Sequence, residues 1–157
     1  MTTGFSEGLR ARIDNIFARY PNRRSALLPV LHLVQRERGF IGPDDEILVA
    51  GLCGLRPVEV REVLTFYTMF RREPAGRRLL QVCTNLSCAI RGGGRILDHL
   101  RRTLGLEPGQ TTPDGRFTLV EVECLGACDK GPCLMVGEKL HEGLTLEAVD
   151  KLLRESG

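Results

Sequence analysis

Four cysteines in two closely spaced pairs constrain this chain more than any other feature. Cys83-Thr84-Asn85-Leu86-Ser87-Cys88 has four residues between its thiols, and Cys124-Leu125-Gly126-Ala127-Cys128 has three. Each pair begins where a strand is expected to end. Loops at strand ends carry side chains beyond the sheet, where two loops from neighbouring strands can converge. Four thiolates gathered this way can hold a zinc ion or an iron–sulfur cluster. Structural zinc ligands are often only two residues apart, so these spacings permit zinc without favouring it. A 2Fe–2S rhombus is larger and takes two ligands per iron, which suits wider gaps. Ser87, Gly126 and Ala127 are small enough for backbone N–H groups to approach bridging sulfides. A helix following Cys88 would aim its positive end at an anionic centre. Spacing therefore favours a cluster and leaves zinc or unmetallated thiols as the alternatives.

The other two cysteines, Cys53 and Cys133, bring the total to six. The first residues, Met1-Thr2-Thr3-Gly4-Phe5-Ser6-Glu7, show no basic region followed by an apolar stretch, so no secretory signal is expected. In a reducing compartment six cysteines read as ligands, reactive thiols or buried apolar residues rather than as a disulfide framework. The 157 residues hold 42% hydrophobic side chains, a globular composition, and no apolar run approaches a membrane span. Residues 1–78 carry 13 basic and 9 acidic side chains, whereas residues 79–157 carry 9 and 11. Of the 22 basic residues 19 are Arg, which points to a docking surface on the first half, with a solvated Arg-rich face as the alternative. No basic block interleaved with aromatics is present, which argues against nucleic-acid binding.

Periodicity changes near Glu73-Pro74-Ala75-Gly76. Before this turn everything reads as helix. Leu9, Ile13, Ile16, Phe17 and Tyr20 recur at helical spacing behind Ser6, a suitable N-cap. Ser25 can cap a second helix through Leu27, Leu28, Leu31 and Val34, stopped by Gly39. Pro43 and Pro57 suit the first positions of two more, the last running to about Phe70. After the turn, 79–83 is a short strand expected to be buried on both faces. Residues 89–104 fit one helix with Ile90, Ile96, Leu97, Leu100 and Leu104 inward. Strands are expected at 117–122, 132–137 and 139–141, and a final helix from about Thr145, with Leu144 and Val149 spaced as a hydrophobic staple. The expected class is α+β: a helical N-terminal domain over 1–72 and an α/β domain over 77–157.

The segments C-T-N-L-S-C-A-I-R-G, from Cys83, and E-C-L-G-A-C, from Glu123, closely resemble the thioredoxin-like 2Fe–2S subunit of NADH:quinone oxidoreductase, respiratory complex I. That family includes the gamma subunit of NAD-dependent formate dehydrogenases and the small diaphorase subunit of bidirectional hydrogenases. Thr65-Phe66-Tyr67, Phe70, Pro74-Ala75-Gly76 and the Gln35 to Gly39-Phe40-Ile41 segment also resemble it, so the likeness covers nearly the whole chain. The resemblance implies that Cys83, Cys88, Cys124 and Cys128 ligate one 2Fe–2S cluster, and that the second domain is thioredoxin-like. It implies a subunit of an NADH dehydrogenase complex with no complete active site of its own. Its partner would be the flavin- and NADH-binding subunit, with FMN and NADH held there. Its place would be cytoplasmic, held at the cytoplasmic side of the membrane by the complex without inserting into it. Relatives often carry a small residue, then Ala and Pro, after the second pair. Here the chain reads Asp129-Lys130-Gly131-Pro132-Cys133.

The remaining features read more plainly. Cys53 suits a buried small hydrophobe. Cys133 opens an expected core strand and is read as packing, with a role beside the cluster as the alternative. His32, His99 and His141 lack partners at ligand spacing. Gly92-Gly93-Gly94 lies inside a helical pattern without a GKT tail, so it is read as close packing and not as a phosphate loop. Phe66, Tyr67 and Phe70 are expected to form a core or interdomain cluster, with partner contact as the alternative. A thiol–disulfide enzyme is disfavoured, since no Cys-x-x-Cys opens a helix.

Overall fold

A computed structural model describes residues 4–156. Residues 1–3 and 157, which the expected domain limits and the expected lack of a leader include, lie outside the described residues. The chain divides into two compact units, Met1–Pro74 and Ala75–Gly157.

The first unit holds α1 (Glu7–Phe17), α2 (Leu27–Arg38), α3 (Pro43–Cys53) and α4 (Pro57–Phe66). Ser6 caps α1 by accepting the Leu9 N–H at 3.2 Å. Pro43 and Pro57 open their helices, and Gly39 and Gly54 close α2 and α3 in left-handed conformations. Leu9, Ile13, Val30, Leu31, Val34, Ile41, Val49, Val60 and Leu64 form the core.

Three expectations fail here. Ser25 does not cap α2; it lies in a 3-10 turn where Asn22 Oδ1 accepts its N–H at 2.9 Å, and α2 starts at Leu27. Tyr20 lies past the end of α1, just before Pro21, and is exposed. The last helix stops at Phe66, not Phe70, because residues 69–71 are captured by α2. Gln35 Nε2 donates to the Met69 carbonyl at 2.9 Å, and Gln35 Oε1 accepts the Arg71 N–H at 2.6 Å. The aromatic triplet keeps its edge-to-face contacts, Phe66 with Tyr67 at 5.0 Å and Tyr67 with Phe70 at 6.5 Å between ring centroids, but its ends differ in burial. Phe70 is buried and packs at a tilt against His32, with ring centroids 4.8 Å apart, whereas Phe66 is 77% exposed.

The second unit runs β1 (Arg78–Cys83), α5 (Leu86–Ile90), α6 (Gly93–Leu104), β2 (Phe117–Val122), β3 (Leu134–Val136), β4 (Lys139–His141) and α7 (Leu146–Glu155). The strands form one mixed sheet in the order β2-β1-β3-β4. The β1 and β2 strands are parallel, from Arg78 opposite Phe117 to Cys83 opposite Val122. The β1–β3 and β3–β4 pairs are antiparallel. The outer edge of β2 is covered by residues 109–112: Gly109 N–H donates to Leu119 O at 2.7 Å, Leu119 N–H to Gln110 O at 3.0 Å, and Thr112 N–H to Phe117 O at 2.8 Å. Helix α6 packs on β1 and β2 and touches α7, closing a core of Leu80, Val82, Ile96, Leu100, Leu119, Leu134 and Val149. Thr145 caps α7, and Leu144 and Val149 are both buried, as a staple requires.

The class is the expected α+β, helices followed by an α/β unit. Details differ. The single helix expected over 89–104 is two helices, with the chain turning at Gly92, φ 94°. Ile90, expected inward, is 77% exposed. Strand β1 alternates, with Leu80 and Val82 buried and Leu79 and Gln81 half-buried, because only one face meets α6. Strand β3 starts at Leu134, leaving Cys133 just before it.

Candidate metal centre

Parallel pairing places the C-terminal ends of β1 and β2 side by side. Cys83 is the last residue of β1 and Val122, its partner, the last of β2. The two cysteine loops therefore leave the sheet at the same end. They meet there: Cys83 Sγ lies 3.6 Å from the Glu123 carbonyl. Asn85 caps α5 by accepting the Leu86 N–H at 2.7 Å. Cys88 sits inside that short helix. The expected helix start behind Cys88 is thus corrected, and the next helix end belongs to α6 at Gly93.

The chain turns at Gly92, and Gly93 lets it pass close to both cysteine backbones. A Cβ at this position would lie 2.8 Å from the Cys83 carbonyl oxygen and 2.9 Å from that of Cys88. Gly131 is similarly confined, since a Cβ would stand 3.0 Å from Cys88 Sγ. Its peptide bond to Pro132 is cis. Small residues thus line the thiols on two sides.

The four thiols converge as two pairs. Cys124 Sγ and Cys128 Sγ are 3.7 Å apart, and Cys88 is hydrogen-bonded to the Cys83 side chain. The Gly126 N–H donates to Cys124 Sγ at 3.3 Å. Cys83 and Cys88 are buried, whereas Cys124 and Cys128 are exposed. Burial first, and then the Cys83 neighbour, push the Cys88 thiol up to about 11. Cys128 is raised chiefly by its hydrogen bond with Cys124. Ligation needs thiolates, so loading such a site releases protons. Among the described residues, no group of three or more His, Cys, Asp or Glu side chains is gathered closely enough to hold one metal ion. A two-iron rhombus asks for two thiolates at each iron and N–H groups near its sulfurs. This donor set and its glycine-lined surroundings fit that group.

Other candidates resolve plainly. Cys53 is buried among the helices of the first unit. His32 packs at a tilt against Phe70, and His99 Nε2 lies 2.6 Å from Asp150 Oδ1. The glycine triplet opens α6. Two residues that sequence reasoning missed are Leu86 and Ile90, four apart on α5 and 70% and 77% exposed, which flank Cys88 with apolar surface. Their four-residue spacing was the available signal.

The family described as Thioredoxin-like [2Fe-2S] ferredoxin matches residues 13–156. An NADH-quinone oxidoreductase subunit of Rhizobium meliloti (strain 1021) is 48% identical over 146 residues, spanning 92% of this chain and 86% of that protein. The mitochondrial "NADH dehydrogenase [ubiquinone] flavoprotein 2" of Dictyostelium discoideum is 42% identical over 152 residues, 95% of this chain and 62% of that protein. Among solved structures, the H2-reduced NAD+-reducing [NiFe]-hydrogenase shares the fold, with a TM-score of 0.72 at 22% identity over 83% of this chain and 22% of that one. Among the described residues, no helix is long and apolar enough to cross a membrane.

Proposed function

The chain belongs to the thioredoxin-like 2Fe–2S ferredoxin family, and from that premise we propose that it is the electron-transfer subunit of an NADH:quinone oxidoreductase. In this reading Cys83, Cys88, Cys124 and Cys128 hold one 2Fe–2S cluster. It exchanges electrons with the flavin of an NADH-oxidising partner subunit, on the cytoplasmic side of the membrane. The observation that carries the reading is the convergence of both cysteine loops at one end of the parallel β1–β2 pair.

The cluster, when bound, accepts and returns one electron at a time. The chain's own residues do the rest. Cys83 and Cys88 anchor the buried side, and Cys124 and Cys128 form the rim open to solvent. An electron added to the site adds negative charge. The Gly126 N–H, aimed at Cys124 Sγ, opposes that charge, and burial of the first pair resists it, so the two together tune the potential. Leu86 and Ile90 offer an apolar surface on the helix that carries Cys88, as expected where a partner excludes water. A gamma subunit of an NAD-dependent formate dehydrogenase, or a hydrogenase diaphorase subunit, uses the same site chemistry and is the alternative host. The NAD+-reducing hydrogenase among the solved structures keeps that alternative in view.

Anaerobically purified protein should contain about two irons and two acid-labile sulfides per chain. NADH together with the flavin-bearing subunit should reduce the centre and give an EPR signal. Alanine at any of the four ligands should remove it, while Cys53→Ala keeps it. About one zinc per chain with no sulfide would overturn the cluster. A normal cluster that NADH and the flavoprotein fail to reduce would overturn only the partner.

A further inference from the structure

The segment Gly131-Pro132-Cys133 places a fifth thiol against the proposed ligands. Cys133 is 2% exposed and lies in the same buried group as Cys83, Cys88 and Ala127. All three of its polar groups face the site. Its carbonyl accepts the Cys83 N–H at 3.1 Å. Its own N–H is hydrogen-bonded to the Cys88 side chain. Its Sγ lies 3.5 Å from the Ala127 carbonyl and 3.6 Å from that of Lys130. Those two carbonyls belong to the loop that carries and follows Cys124 and Cys128.

Neither carbonyl depends on the thiol for a partner. Ala127 O also accepts the Lys130 N–H at 3.1 Å, and Lys130 O accepts the Gly143 N–H at 2.7 Å. What the thiol adds is therefore position. A small apolar side chain would leave the loop of the second pair without this tie to the base of β3 and would remove the hydrogen bond between the Cys133 thiol and the Cys88 side chain. A thiol has one proton and donates weakly, so the tie serves one carbonyl at a time.

We propose that Cys133 is a positioning residue that ties the Cys124–Cys128 loop to the backbone holding Cys83 and Cys88, and so governs cluster retention and reduction potential without ligating iron. The proposal rests on the four-ligand reading above, and its test separates the two. The full-length, cluster-loaded protein is compared with Cys133→Ala and Cys133→Ser. The alanine variant should keep about two irons and two sulfides and a wild-type visible CD spectrum, since its ligands are unchanged. It should lose iron to a chelator about tenfold faster, the scale typical of supporting residues around metal ligands. Its potential should shift in a film or redox titration. The serine variant, whose hydroxyl can donate, should recover part of both. Wild-type release rate and potential in Cys133→Ala, or a serine variant no better than alanine, would show that the residue only packs. Loss of the cluster in Cys133→Ala with retention in Cys128→Ala would overturn the ligand assignment instead.

Discussion

Cys53 and Cys88 are both buried thiols, and burial is the first cause lifting each to about 11, yet only Cys88 has thiol neighbours. Cys53 therefore gives a clean pH test. Its folded pKa stands above the ordinary thiol value of 9.0. The stability it confers is complete below about pH 9 and is lost as pH rises toward 11, where the unfolded chain ionises and the folded one resists. Urea unfolding of wild type should weaken over that window relative to Cys53→Ala by about 2 kcal/mol. Parallel curves for the two proteins would mean that the thiol is better solvated than its position implies. At this scale the ligand types and spacings were readable in the sequence, because loop cysteines carry their own chemistry. The confinement of Gly93 and Gly131 was not, since it arises only when carbonyls and sulfur from other turns close around them.

Helices α1 and α3 and their caps were readable because Ser6, Pro43 and Gly54 act within one turn of themselves. The failures came where a distant partner decides. The end of α4 is set by Gln35, 34 residues before Met69, whose amide satisfies one carbonyl and one N–H of the departing chain. Gln35 is 9% exposed, so both bonds are shielded from water. Gln35→Ala should lower unfolding stability by about 2 kcal/mol, two hydrogen bonds left unmade, measured by urea titration of the full chain. A loss under about 0.5 kcal/mol would mean that water takes over both groups. The break between α5 and α6 was hidden in the sequence for a related reason. Ile90 fits the apolar stripe of α6 by spacing, but Gly92 rotates the chain and leaves that side chain in solvent.

At the scale of the chain, we propose that the unit Ala75–Gly157 folds around the cluster while the helical unit anchors it to the flavoprotein. A fragment beginning at Ala75 should still assemble the centre and show its reduced EPR signal, but bind the flavin-bearing subunit much more weakly than the full chain. Gly76 must be kept, because its N–H donates to Thr118 Oγ1 at 2.6 Å and a Cβ there would stand 2.9 Å from the Phe117 backbone. Equal affinity by calorimetry would remove the anchoring role, and a fragment unable to hold iron would show that the two units depend on each other. The sheet of this second unit has one further consequence, for crowding. The Phe117–Leu119 stretch of its β2 edge already has its backbone groups taken by residues 109–112, and its other edge, β4, is three residues long and begins with Lys139. A second copy seeking to extend the sheet finds one side occupied over half its length and the other too short and charged to template growth, so a concentrated solution of this unit should resist strand-by-strand aggregation.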